Sequence, residues 1–286
     1  MIGESDGDGV KDGQENDGGS VARGAPRRRL SPAAEILLVA LTPVALRLIL
    51  LPVFPVPSPG THDDFSYLLA ADTFARGRLA NPPPPFGEFF ESFHILIHPT
   101  YASMYAPGQG LVLAFGQVAV GLPWAGVLLS VALMCGAVTW LLQAFLPPRW
   151  SLAGGLAFAL IYGVEHYFAN SYWGGALPAA AGALLFGAVS RIVRLRPGRP
   201  RPVLWSLLAG LGAAVLMLTR PWEGFCAGLP AALVLVTGLV RAREGTLRGR
   251  LIRGLAFVFY LVLYSLFLVF FSILKIIWII LNKCVW

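Results

Sequence analysis

Four short stretches of the chain carry residue types able to do chemistry. The first is His62-Asp63-Asp64, two adjacent carboxylates ahead of FSYLLAADTFARGRL. A carboxylate can take a hydroxyl proton as a general base. The same pair at a helix start can equally serve as N-caps. The second is Tyr101 to Leu111, YASMYAPGQGL, where Tyr105 precedes a backbone broken by Pro107, Gly108 and Gly110. A helix beginning there presents free N–H groups to an anion; a plain turn is the other reading. The third runs from Glu165-His166-Tyr167 to Asn170-Ser171-Tyr172-Trp173. Glu165, His166 and Asn170 suit substrate binding, although interfacial belts of Tyr and Trp have a similar composition. The fourth is Leu218 to Gly224, LTRPWEG, with Arg220 and Glu223 in a very short turn between apolar runs. Charges there are costly unless paired or facing a polar cavity. Either Arg220 and Glu223 pair with each other, or Arg220 holds an anion.

Other candidates are weaker. Arg47, inside the first apolar run, is expected to snorkel. His94 and His98 are spaced as a helical metal pair, but Pro99 follows directly and no third ligand accompanies them, so no metal site is expected. Neither a Walker loop nor a dinucleotide fingerprint occurs. Cys135, Cys226 and Cys284 all lie in apolar runs and are expected to be buried free thiols.

The elements that must position these residues follow from composition. Of 286 residues, 56% are hydrophobic and 13% charged, and the mean hydropathy is +0.68. A soluble domain carries about 25% charged residues. The chain therefore reads as an integral membrane protein, which excludes a soluble enzyme, a secreted disulfide scaffold and a disordered regulator. The 22 basic against 15 acidic residues sit mainly in short loops beside apolar runs. That is how topology is encoded, so no nucleic-acid partner is expected; a nucleic-acid reader needs a contiguous basic face.

Residues 1–20 lack apolar periodicity and are expected to be disordered, within a cytoplasmic segment 1–30. Arg23, Arg27, Arg28 and Arg29 precede the run Ala33 to Val53, which is long enough to cross and is read as an anchor rather than a signal peptide. A Pro-rich, acid-bearing outer loop of about 54–122 follows. Further apolar runs cover roughly 108–121, 123–144, 152–164, 174–190, 203–219, 224–240 and 254–281. The loops at Arg191–Arg201 and Arg241–Arg253 are basic and expected inside. That assignment requires 108–121, about 14 residues long, not to cross. Residues of roughly 65–76 read as a surface helix, with Phe65, Leu68, Leu69 and Phe74 on its apolar side and Asp72 paired with Arg76. Continuous apolar runs rich in small residues predict packed helices. The expected fold is thus all-α: a polytopic transmembrane bundle with a large first extracytoplasmic loop carrying interfacial helices. The segment 254–286 changes style to Phe, Ile, Leu and Lys; it reads either as an ordinary final span or as a chain that has lost its natural continuation.

The order of these features resembles the GT-C superfamily of glycosyltransferases that use polyprenyl-phosphate sugars, in particular its protein O-mannosyltransferase and aminoarabinose-transferase branch. The resemblance covers about residues 33–240. It rests on Asp63, Asp64 and Tyr67 after the first span, on Tyr105-Ala106-Pro107-Gly108 where the family has Lys-Pro-Pro-Leu, and on LTRPWEG, with Arg220 where the family often has Lys. The resemblance implies Asp63 as catalytic base, Asp64 as a second acid orienting it or the acceptor, and Arg220 as the cation for the leaving phosphate, with Arg76 and Arg78 as poorer choices. It implies a lipid-phosphate-linked sugar as donor substrate and an acceptor hydroxyl on a glycan, lipid or protein; no cofactor is assigned. The expected location is the inner membrane of a bacterium, with the site outward. Two other functions stand beside it: a transporter of a lipid or small molecule, and an inactive fragment of such a protein.

Overall fold

The computed structural model describes residues 30–194, 202–241 and Leu255. The stretch 1–20, the Arg23–Arg29 cluster, most of both basic loops, Cys284 and, apart from Leu255, the segment 254–286 lie outside the described residues.

The described chain is all-α, with helices α1 (Pro32–Ile49), α2 (His62–Ala75), α3 (Pro107–Val120), α4 (Pro123–Leu142), α5 (Pro148–Leu160), α6 (Tyr167–Asn170), α7 (Ala176–Val193), α8 (Pro202–Thr219) and α9 (Pro221–Arg241). A π-helical turn, Ile161–Glu165, extends α5. Pro32, Pro107, Pro123, Pro148, Pro202 and Pro221 each open a helix, where the missing N–H costs nothing and the fixed φ already suits the helix. Gly121 closes α3 at φ 74°, a left-handed conformation that suits glycine.

Among the described residues three helices, α1, α4 and α7, are long and apolar enough to cross a membrane. They pack through small residues. Ala40 and Ile36 of α1 lie against Gly136 of α4, and Gly212 of α8 leaves room for the backbone of Ala181 and Leu185 on α7. Val39, Val131, Met134, Ala159 and Ala180 fill the centre of α1, α4, α5 and α7; Leu185, Ile192, Ala213 and Leu235 fill that of α7, α8 and α9. Leu37, Leu41, Leu133, Leu211 and Leu233 face outward instead, as on a lipid-contacting surface. Cys135 is buried as expected, but Cys226 is exposed on this apolar exterior of α9.

The two ends of the bundle differ. At one end, Arg191 donates to Trp140 O at 2.8 Å with its guanidinium 3.8 Å over that indole, Arg194 donates to Ala144 O at 2.7 Å, and Gln143 reaches Glu35 at 3.1 Å. The candidate residues gather at the other end. Helix α3 stays there. Gln109 near its start donates to Tyr172 O at 3.2 Å, and Trp124 just beyond its end donates to Ala169 O at 2.9 Å. Both flanks of α3 are thus anchored within one short loop, and α3 does not carry the chain to the opposite end.

The loop before α3 holds local structure with no helical or long-strand pattern in its sequence. A 3₁₀ turn, Gly87–Phe90, precedes two short antiparallel strands, β1 (Ile95–Leu96) and β2 (Ala102–Ser103). The Ser66 hydroxyl of α2 donates to His94 O at 2.6 Å and lies 2.7 Å from Ser103 Oγ, so this hairpin is clasped onto α2. Helix α2 buries Tyr67, Ala70, Ala71 and Thr73, while Phe65 faces out. The expected pair of Asp72 and Arg76 forms at 3.1 Å on its surface.

Candidate active site

Helix α2 is started by a reciprocal cap. Thr61 Oγ1 accepts from Asp64 N at 3.3 Å, and Asp64 Oδ2 accepts from Thr61 N at 3.3 Å, Gly60 N at 3.2 Å and Thr61 Oγ1 at 3.1 Å. Asp64 Oδ1 accepts from Tyr172 N at 2.9 Å. Only 3% of Asp64 is exposed. Its carboxylate is filled by backbone and cap donors, so Asp64 is a bracket between α2 and the loop before α7, not a second reacting acid.

Asp63 points the other way, and 22% of its side chain is exposed. Its Oδ1 accepts from the Tyr105 hydroxyl and lies 3.7 Å from His94 Nε2. Its Oδ2 accepts no hydrogen bond from the described residues. Tyr67, one turn further along α2, stacks on Tyr105 with centroids 4.6 Å apart and planes 15° from parallel. His94 stacks on Tyr105 at 5.2 Å and 30°. Tyr105 is oriented by its N–H, which donates to Ser103 Oγ at 3.2 Å.

Arg220 arrives from the α8–α9 turn. That turn is pressed against the start of α3: a Cβ at Gly108 would meet Thr219 Cγ2 at 2.6 Å and Leu218 O at 2.8 Å. Arg220 Nη1 donates to Glu223 Oε1 at 3.0 Å and Nη2 donates to Gly174 O at 3.2 Å, with 34% of the side chain exposed. Its charge is felt by both tyrosines. Burial pushes the Tyr67 phenol up to about 12; Arg220 pulls it down, while Asp63 and Glu223 push it up. Burial also raises Tyr105, followed by its hydrogen bond to Asp63, with Arg220 again opposing. Both phenols are therefore neutral donors near neutral pH, flanked by a carboxylate and a guanidinium.

Asp63, Tyr67, Tyr105, Arg220 and Glu223 thus share one neighbourhood, and Pro107 opens the helix beneath it. The 165–173 candidates stand apart from it. Glu165 is exposed. His166 Nδ1 accepts from Phe168 N at 3.3 Å and its ring packs among Tyr162, Tyr167 and Phe168. Asn170 is committed to the scaffold, donating to Val164 O and His166 O and accepting from Arg47 Nε at 2.8 Å. Arg47 does not snorkel. It is 1% exposed, donates to Phe54 O at 2.6 Å and Pro55 O at 3.0 Å, and lies 5.0 Å over Trp124. Bonding three oxygens from two loops outweighs reaching for water.

His94 was visible in the sequence only as a metal candidate. It lies beside β1 rather than on a helix, at φ 66°, and turns its ring to Asp63. Gln109 carried no signal at all; its Oε1 is buried without a hydrogen-bond partner. Among the described residues no group of three or more His, Cys, Asp or Glu converges as a metal site. Comparison of the chain with family models, curated proteins and solved structures found no match.

The arrangement offers one open carboxylate oxygen to take a proton and two neutral phenols, while Arg220 forms the pair with Glu223, the first of the two alternatives its sequence left open, and also donates to Gly174 O.

Proposed function

We propose that the protein is a membrane glycosyltransferase that moves a sugar from a polyprenyl-phosphate donor to an acceptor hydroxyl. The observation that carries this reading is the Asp63 carboxylate, one oxygen unengaged among the described residues, set beside the stacked Tyr67 and Tyr105, with the turn that bears Arg220 pressed on Gly108 just after Tyr105. In the proposed reaction the acceptor oxygen attacks the anomeric carbon and its proton passes to Asp63. The bond from that carbon to the phosphate oxygen breaks, and the departing lipid phosphate takes the electron pair and is held by Arg220. Attack opposite the leaving group inverts the anomeric centre.

The distribution of polar groups favours this over a transport path, which would need polar groups at mid-bundle. The buried hydroxyls of Ser130, Thr139 and Ser190 are each tied to carbonyls of their own helix. The proposed setting is a bacterial inner membrane, with the N-terminus inside and the site outside. Membranes carrying Asp63→Asn or Arg220→Ala should consume donor lipid at least ~100-fold more slowly than wild type, with Arg220→Lys intermediate. Full activity of Asp63→Asn would remove the base and the proposal with it. Single cysteines placed at 166 and 222 should react with impermeant reagents from outside.

A further inference from the structure

We infer that His94 is the proton outlet of this site, receiving from Asp63 the proton that Asp63 takes from the acceptor; the inference rests on the transferase reading above.

A base that accepts a proton at each turnover must lose it before the next. Asp63 sits largely within the protein, and its Oδ1 already accepts from Tyr105. The phenol of Tyr105 is a poor outlet, because burial and the bond to Asp63 hold its proton on. The other group facing that oxygen is His94 Nε2 at 3.7 Å, a gap that closes to a hydrogen bond with a small ring movement. His94 is 40% exposed, so its ring links the carboxyl to solvent. An imidazole accepts a proton on one ring nitrogen and releases one from the other, so the ring can pass the proton on. The balance is closed in three moves: the acceptor proton lands on the open Oδ2, the carboxyl turns about Cβ–Cγ so that this oxygen faces Nε2 and the other takes the Tyr105 bond, and the O–H bond breaks as an N–H bond forms at Nε2, after which the imidazolium releases a proton to water.

The backbone gives His94 this position in an unusual way. Its φ of 66° lies in the left-handed region, and its carbonyl accepts from Ser66 Oγ at 2.6 Å and Met104 N at 3.1 Å. These bonds fix residue 94 whatever its side chain. Glycine and asparagine tolerate that φ, so His94→Gly and His94→Asn remove the ring without disturbing the loop. The charged and titratable groups against the ring are Asp63 from the start of α2 and Tyr105 from the loop before α3; His62 packs on the neighbouring Phe93.

The test has two arms on the full-length protein in membranes. The first needs no turnover: carbethoxylation of His94 is followed by mass spectrometry in wild type and Asp63→Asn. Loss of the carboxylate should free Nε2 and raise the rate several-fold; an unchanged rate overturns the inference whatever the protein catalyses. The second follows consumption of radiolabelled polyprenyl-phosphate mannose and polyprenyl-phosphate arabinose. His94→Gly and His94→Asn should lower kcat by ~10- to 100-fold with little change in KM. Added imidazole should restore His94→Gly, which a purely structural role of the ring would not allow. Absence of rescue in a variant that melts like wild type overturns the inference. If the first arm shows coupling but wild type consumes neither donor, the transferase reading falls and the outlet falls with it, while the pairing of Asp63 and His94 stands.

Discussion

Tyr67 and Tyr105 stack with their ring centroids 4.6 Å apart, one from α2 and the other from the loop before α3. Only Tyr105 bonds to Asp63. Tyr105→Phe should therefore keep the stack, because the ring remains, and release Asp63 from its donor. On the transferase reading kcat should drop by roughly 10-fold with KM nearly constant, well short of the Asp63→Asn loss. Steady-state kinetics on the two variants separates orientation of the base from the base itself.

Burial holds the Tyr67 proton on, with a pKa of about 12 against an ordinary value of 10.0. A group that ionises less readily folded than unfolded contributes stability below its unfolded pKa, and that contribution fades as pH rises through the folded value. Between pH 10 and 12 the wild-type protein should lose thermal stability faster than Tyr67→Phe. Melting curves in detergent across that range check the sign, and phenolate absorbance locates the titration.

The guanidinium of Arg47 joins α1, the 54–55 turn and Asn170. Arg47→Ala strips donors from three neutral oxygens at the end of α1 and should cost about 2–3 kcal/mol. Asn170→Ala alone leaves two of the three bonds and should cost less. The double variant should be less destabilised than the sum of the singles, a coupling readable from chemical or thermal unfolding in detergent.

Helices α3 and α4 cross at Gly116 and Gly126. A Cβ on Gly126 would collide with the carbonyl oxygen of Val112, and one on Gly116 with the backbone nitrogen of Gly126. Backbone cannot swing aside as a side chain can, so Gly126→Ala should be destabilised by about 3 kcal/mol, in the range of overpacked cores. Gly182→Ala, where a Cβ meets nothing within 4 Å, is the matched control and should melt like wild type.

Much of the architecture was legible because lipid-facing helices write their lengths directly as apolar runs, and prolines mark their starts. The site was legible in part. Asp63, Tyr67, Tyr105 and Arg220 stand in short polar interruptions of apolar sequence, and the fold draws those interruptions to one end of the bundle. What could not be read was direction. Two neighbouring carboxylates on a helix point about 100° apart; the cap formed by Gly60 and Thr61 and the amide of Tyr172, remote in sequence, together settle Asp64 as the one turned inward. Arg47 and Asn170 misled because they bond each other from remote parts of the chain, and their other partners are main-chain carbonyls that residue types do not announce. His94 gave no usable signal because its partner lies on a different element and its backbone belongs to a hairpin with no strand-length pattern.

The stretch from Tyr172 to Gly174 is gripped from both sides: Asp64 takes the amide of Tyr172, and Arg220 takes the carbonyl of Gly174. Acid and guanidinium are consequently surveyed from one common benchmark rather than from separate helices. A shift of that stretch would move Asp64 and Arg220 together.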